Sequence, residues 1–472
     1  MKKQYINGEW CDAINGAKWD VQSPSTEEII AQVPFGNEAD CKLAIHAAHT
    51  AFENWKNTTP YYRAEFLKKV ADTIRANAEI FAIDTALETG KPMLEARGEW
   101  QVAANLFEWY AEEGKRSYGR VIPSSRIDKR SMVIYQPLGV VGVITAWNFP
   151  AYNPARAVAA ALAAGCTVVM RGSEFTPLSS CNMAKALHEA GIPKGVFNLI
   201  NTEPVATGIE MIENPLLSKI SFTGSTRVGK ILMDGASTTS TKLSLELGGN
   251  APVIIDKDVD VVAIAHQALV AKLRNCGQVC VSPQRFYVHS SIFNEFVAVV
   301  KEDISKLKTG INGGSIDFIG PLINKTQQNH SLAMLEKAKS EGAIIHIGGE
   351  KSETGFFVHP ALIEARQEQS FIKTEVFGPL MIVIPFDTQE QVIEWANDTE
   401  YGLASYVFTN HIKNANVYAE KLEFGMVGIN EWAAHGTELP FVGIKSSGIG
   451  HESGAEGLKE YLEMKLISYG GM

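Results

Sequence analysis

From Val140 onward the chain alternates short β-branched runs, VVGVITAW, CTVVM, GVFNLI, SKISFT and KLSLE, with helical stretches such as 155–164 and 177–190. This alternation restricts the fold more than any other feature. Strands joined by single helices run parallel, and a parallel sheet needs helices over both of its faces. A doubly wound sheet is the expectation. Thr176 and Pro177 suit an N-cap and first helical turn, while Gly165 and Gly191 suit the left-handed residue that closes a helix.

A second αβ series starts after Gly248 and Gly249, a pair expected to let the backbone bend sharply, and continues to about Asn430. With 472 residues the chain exceeds one ordinary core. The predicted class is therefore α/β, with a Rossmann-like cofactor domain (1–117 and 137–246), a second α/β catalytic domain (247–440) and a small β element for oligomerisation (118–136 and 441–472). In that last element, SYGRVIPSSRIDKRSMVIYQP and LKEYLEMKLISYGG read as peripheral strands that would pair with each other or with another subunit. A homodimer or homotetramer is expected.

Charge narrows the partners. A net charge of −10 disfavours polyanions, so neither nucleic acid nor an anionic membrane surface is expected as a partner. The opening MKKQYINGEW lacks the apolar stretch of a signal peptide, and no later segment offers about 18 uninterrupted apolar residues. The reading is a cytoplasmic protein. Six scattered cysteines suit neither a disulfide framework nor a zinc ribbon, and no metal site is expected. Cys276 and Cys280 stand apart in the polar stretch NCGQVC, where a thiol could stay accessible and reactive.

Ligands of doubly wound sheets sit beyond the carboxyl ends of the strands. Four ends carry candidate chemistry. TAWNFP places the amide of Asn148 at a strand-to-loop switch; a simple turn asparagine is the alternative. VVMRGSE places Glu174 where a carboxylate could accept from a ribose, or merely face water. FTGSTRVG puts Gly224 and Ser225 at a helix start, which suits either a phosphate or an ordinary cap. Next, LSLELGGN leaves Glu246 at a strand tip, as a general base or a structural acceptor.

Taken in order, WNFP, RGSE, FTGSTRVG, LELGGN, GQVC, EVFGP and PFVGIKSSG resemble the aldehyde dehydrogenase superfamily. NGEW, IGPLIN, YGLAS and GMVGIN extend the resemblance over nearly the whole chain. It implies that Cys280 is the nucleophile, that Asn148 donates to the oxyanion and that Glu246 activates the hydrolytic water. NAD is the implied cofactor, with NADP possible on sequence grounds. Its contacts would be Thr145, Ala146, Trp147, Arg171, Ser173, Glu174, Gly208, Gly224, Ser225 and Leu247, with Glu375 and Phe377 at the nicotinamide ribose and ring.

The family's usual lysine and proline are Arg171 and Gly172 here. Arginine would welcome a 2′-phosphate, whereas Glu174 would repel it; the carboxylate carries more weight, and NAD is favoured. Arg156 and Arg274 resemble the arginine pair that binds the distal carboxylate in succinate and related ω-carboxylated semialdehyde dehydrogenases, and His435 would help bind the substrate by shaping the pocket. Phe149, Tyr152 and Tyr110 would shape the rest of the pocket. Three rivals stay open: an enzyme for uncharged aldehydes, a coenzyme A-acylating relative and a noncatalytic relative. A Cys276–Cys280 disulfide is a further option.

Overall fold

A computed structural model describes residues 2–310 and 318–471. Three helices, α1 (Glu38–Trp55), α2 (Pro60–Thr89) and α3 (Met93–Glu113), precede the first parallel sheet. Its strands are β1 (Val140–Ile144), β2 (Thr167–Arg171), β3 (Phe197–Ile200), β4 (Leu217–Thr223) and β5 (Lys242–Glu246), in the spatial order β3-β2-β1-β4-β5. Order reverses between β1 and β4, so the crevice opens between the loops that follow these two strands. Gln4–Ile6 extends the β3 edge antiparallel, and Gly448–Ile449 does so beside β5.

The interleaved helices are α4 (Tyr152–Ala164), α5 (Pro177–Glu189), α6 (Pro204–Glu213) and α7 (Thr226–Thr239). Every residue of α4 is buried, because its alanines let sheet and neighbouring helices approach closely. That helix starts at Tyr152, three residues before the sequence predicts, so Arg156 lies in its second turn. Gly165 and Gly191 do adopt left-handed conformations, at φ 99° and 81°. Thr176, however, caps nothing; its hydroxyl has no partner among the described residues. The α5 N-terminus is instead satisfied by the Glu88 carboxylate of α2, which accepts from Leu178 N (2.7 Å) and Ser179 N (2.8 Å).

A second sheet contains β6 (Ala251–Ile255), β7 (Pro283–His289), β8 (Ile344–Ile347), β9 (Ala361–Glu364), β10 (Leu380–Phe386), β11 (Ala404–Phe408) and β12 (Met426–Ile429). Its order is β8-β9-β10-β7-β6-β11-β12, parallel except for β8. Between β6 and β7 run α8 (Val261–Leu273) and a 3-10 turn, Arg274–Gly277. The predicted peripheral strands pair with each other: Lys129–Pro137 and Leu462–Gly470 lie antiparallel, from Lys129 opposite Gly470 to Pro137 opposite Leu462. Among the described residues no helix is long and apolar enough to cross a membrane.

Gly248 and Gly249 differ from the expectation. Neither has a positive φ. Close approach dictates them instead: a Cβ on Gly249 would stand 2.3 Å from the Cys280 carbonyl oxygen, and one on Gly248 would stand 2.7 Å from a Glu375 oxygen. The glycines let β6 enter the second sheet directly beneath the cysteine loop.

Candidate active site

The crevice at the first sheet's switch point opens into a cavity of about 340 Å³. Ala146, Trp147 and Asn148 from the end of β1, Gly224 and Ser225 from the end of β4, and Glu246 and Leu247 from the end of β5 form one side. Glu375 and Phe377 face them from the second sheet, and Cys280 sits in the same lining. Thus residues far apart in the chain meet because parallel strands all end on one edge.

Cys280 is half-buried in the cavity wall, yet it lies deep enough that its thiol is held well above its ordinary pKa, with the adjacent Glu246 carboxylate adding to the effect and Arg156 opposing it. Burial likewise lifts Glu246 to about 7, against the pull of Arg156. One Glu246 oxygen has no hydrogen-bond partner among the described residues. A carboxylate half-ionised near neutrality, beside a thiol, is matched to taking and returning protons.

Asn148 is fixed at both ends. Its backbone carbonyl accepts from Lys91 Nζ (2.8 Å) and Asn275 Nδ2 (2.9 Å). Its side-chain oxygen accepts from Asn153 Nδ2 (3.1 Å), so its own NH2 turns toward the cysteine loop and reaches the Gln278 carbonyl at 3.2 Å. Lys91 is fully buried, pairs with Glu99 (2.5 Å) and lies 4.4 Å from the Phe149 ring centre. Glu99 Oε1 accepts from Ala151 N (2.7 Å), capping α4 where Ala151 has no side chain to do so.

The loop before Cys280 is strained. Asn275 and Cys276 both take left-handed backbone angles, φ 49° and 56°, which non-glycine residues seldom adopt. Glu95 holds the bend by accepting from Asn275 N (2.8 Å), while Gln278 Nε2 donates back to the Asn275 carbonyl (3.0 Å). Contrary to the accessible thiol expected of NCGQVC, Cys276 is 3% exposed, and burial raises its thiol far above the ordinary value. All six cysteines are free.

On the other face of this loop Val279 and Val281, flanking Cys280, line a second cavity of about 590 Å³ with Arg274 and His435. Arg274 is exposed, and its guanidinium lies 4.9 Å from the Phe149 ring centre. Arg156 is buried between Tyr152 (4.7 Å) and Phe441 (4.4 Å), and the Phe441 ring lies 5.9 Å from His435. Burial and the two arginines lower the His435 pKa to about 4, leaving the ring neutral. Arg156 stands 3.0 Å from Glu452 Oε2 without hydrogen-bond alignment, and its Nη1 has no partner among the described residues. The carboxylate facing it is therefore buried, not on the surface. Contrary to expectation, Arg156, Phe149, Tyr152 and Tyr110 line neither cavity; Tyr110 is buried against Gly457.

Other predicted positions lie farther along the crevice. Arg171, at the end of β2, pairs with Glu174 (2.8 Å) and donates to the Thr202 carbonyl (3.0 Å). Ser173 and Thr145 are buried beside these strand ends, and Gly208 lies within α6 with open space at its Cβ position. Ser225 caps α7 through Val228 N (3.4 Å), and Gly224 N donates to the Glu246 carbonyl (2.9 Å). Sequence reasoning missed Lys91, Glu95, Glu99, Asn153 and Glu452. None left a sequence signal; Asn153 lies ahead of the predicted helix and joins Arg156 on one face only because the helix starts at Tyr152.

A thiol, a carboxylate and an amide donor gathered at the switch point of a doubly wound sheet form the layout of an oxidoreductase that works through a covalent intermediate. Residues 10–467 match the model of the aldehyde dehydrogenase family, and the chain belongs to that family. It is 41% identical to succinate semialdehyde dehydrogenase of Acinetobacter baylyi, over 100% of this chain and 98% of the relative. The NADP(+) succinate-semialdehyde dehydrogenase of Escherichia coli is 40% identical, over 98% and 97%. Among solved structures, betaine aldehyde dehydrogenase of Staphylococcus aureus in complex with NAD+ superimposes with a TM-score of 0.97 at 36% identity, over 100% and 95%.

Proposed function

We propose that this protein oxidises an ω-carboxylated semialdehyde of the succinate class to the dicarboxylic acid, using NAD+ as hydride acceptor. The observation that carries the reading is the shared lining of Cys280, Glu246 and Asn148, with Arg274 and a neutral His435 across the cysteine loop and Arg156 buried between Tyr152 and Phe441.

The first cavity fits a nicotinamide nucleotide. Trp147 and Phe377 meet edge to face at 5.5 Å, and Gly224 and Gly248 leave backbone surface bare. Glu375 Oε1 is used by Gly249 N (2.9 Å), which leaves its second oxygen to accept ribose hydroxyls. When bound, the nicotinamide supplies the hydride acceptor. Farther along, Arg171 is already engaged by Glu174 and Thr202, so neither side chain welcomes a 2′-phosphate; this supports NAD over NADP.

The thiol proton of Cys280 passes to Glu246, and the thiolate attacks the aldehyde carbon. Negative charge then develops on the carbonyl oxygen, where the Asn148 NH2 and the Cys280 backbone N–H donate. Loss of hydride from the carbon leaves a thioester on Cys280. Once Glu246 has released that first proton to solvent, it takes a proton from water, whose oxygen attacks the thioester carbon; the carbon–sulfur bond breaks, the acid departs and Glu246 returns its proton to the Cys280 sulfur. Because Glu246 provides for hydrolysis, acyl transfer to coenzyme A is disfavoured. Arg274 and Arg156 Nη1 hold the distal carboxylate, and fixed distance from the sulfur raises the effective concentration of the aldehyde.

The chain is assigned to the cytoplasm and to a homodimer or homotetramer. Exposed Val121, Met464 and Leu466 on the small sheet support self-association. The two separate parallel sheets support the domain division set out above. A panel of succinate, glutarate and uncharged aldehydes, assayed with NAD and NADP and with or without coenzyme A, tests the reading. Equal kcat/KM for succinate semialdehyde and butanal would refute the carboxylate clamp.

A further inference from the structure

We propose that Asn153 is a positioning residue that sets the polarity of the Asn148 amide, and through it the hydrogen-bond donor offered to the oxyanion. The inference rests on the reading of Asn148 as that donor. Arg156 Nη2 donates to Asn153 Oδ1 at 3.0 Å, and Asn153 Nδ2 donates to Asn148 Oδ1 at 3.1 Å. The side chains of Arg156, Asn153 and Asn148 are all buried, at 1%, 3% and 4% exposure, so water is a poor substitute for any partner.

An isolated asparagine amide has two nearly equivalent orientations, and only its surroundings choose between them. Here the choice begins at a group with no freedom. A guanidinium has donors and no acceptor, so the atom of Asn153 that faces Arg156 must be its oxygen. The NH2 of Asn153 consequently faces Asn148, which must present its own oxygen there. The Asn148 NH2 is then forced toward the Gln278 carbonyl and the cysteine loop. Reversing Asn148 would turn an oxygen toward both the Gln278 carbonyl and the developing oxyanion, replacing attraction by repulsion. One buried cation therefore fixes the direction of two amides in series. Both arise within the first turns of one helix and the loop before it, Asn148 to Arg156.

Asn153→Asp isolates the effect. Aspartate keeps the shape and still accepts from Arg156, but it cannot donate to Asn148. The Asn148 amide is expected to reverse so that its NH2 serves the introduced carboxylate. Single-turnover formation of reduced cofactor should then slow by about 10²-fold, close to the effect of Asn148→Ala, with KM for uncharged butanal, which makes no use of Arg156, changed by less than about threefold. In an Asn148→Ala background the same Asn153→Asp change should have little further effect, because the amide it orients is gone. Asn153→Ala, which removes the donor without adding charge, should give a smaller loss and keeps the test available if the aspartate variant does not fold. Additive effects in the double variant, or wild-type single-turnover rates in both Asn153 variants, would overturn the proposal. No effect of Asn148→Ala alone would instead remove the reading of Asn148 as oxyanion donor.

Discussion

Replacing Glu246 by glutamine is expected to stabilise the protein while arresting its turnover, and both effects can be sized from the site. Burial holds the Glu246 carboxyl at about 7, where an exposed glutamate titrates near 4.5. At 1.36 kcal/mol per pH unit the difference amounts to about 3 kcal/mol. The folded protein binds this proton more tightly than the unfolded chain does, so ionisation weakens folding as pH rises from about 4.5 to about 7, and by the full amount above. Glutamine has the same shape and no charge. Glu246→Gln should therefore exceed the wild type in stability by up to about 3 kcal/mol at about pH 8.5, and by roughly 1 kcal/mol at about pH 5.5.

Urea titrations of both proteins, followed by tryptophan fluorescence at the two pH values, measure the difference. In the same preparations, mixing with cofactor and aldehyde should give one reduced cofactor per Cys280, formed more slowly than in the wild type because the thiol has lost its proton acceptor, followed by turnover slowed by about 10²- to 10⁴-fold. Wild-type kcat should rise through about pH 7 as the base ionises. A stability gain that does not change with pH, or steady turnover by the glutamine variant at the wild-type rate, would refute the assignment of a protonated, functional base.

Asn148→Ala removes one oxyanion donor and should lower kcat by about 10²- to 10³-fold with cofactor affinity unchanged, as read by steady-state kinetics and a cofactor titration. Arg274→Ala should raise KM for succinate semialdehyde by about 10- to 100-fold and leave KM for butanal nearly constant. Glu174→Ser, by freeing Arg171 and removing a negative charge, should raise kcat/KM with NADP by at least about tenfold relative to NAD. Gly249→Ala places a methyl 2.3 Å from the Cys280 carbonyl oxygen, so activity should fall by at least about 10²-fold and thermal unfolding should move to lower temperature.

The sequence by itself determined the strands of the first sheet, the existence of a second αβ series and which chemical groups stand at strand ends. Hydrophobic periodicity and helix-closing glycines are local signals, and Asn148, Glu246 and Gly224 each follow such a signal directly. It also marked Cys276 and Cys280 together, because cysteines in a polar, glycine-containing loop depart from the usual buried thiol, and the motif order resembling aldehyde dehydrogenases singled out Cys280. Contacts across the chain were beyond its reach. The role of Gly249 comes from the carbonyl of the distant Cys280, the cap of α5 from Glu88, and the anchoring of the Asn148 loop from Lys91 and Glu99. Cys276 looked reactive by composition, yet packing buries it, since exposure depends on which elements close over a loop. The two arginines show the same division. Adjacent loops were visible as spacing, but only the tertiary structure decided that Arg156 is buried beside Glu452 while Arg274 faces solvent, because burial and ion pairing arise where distant segments meet.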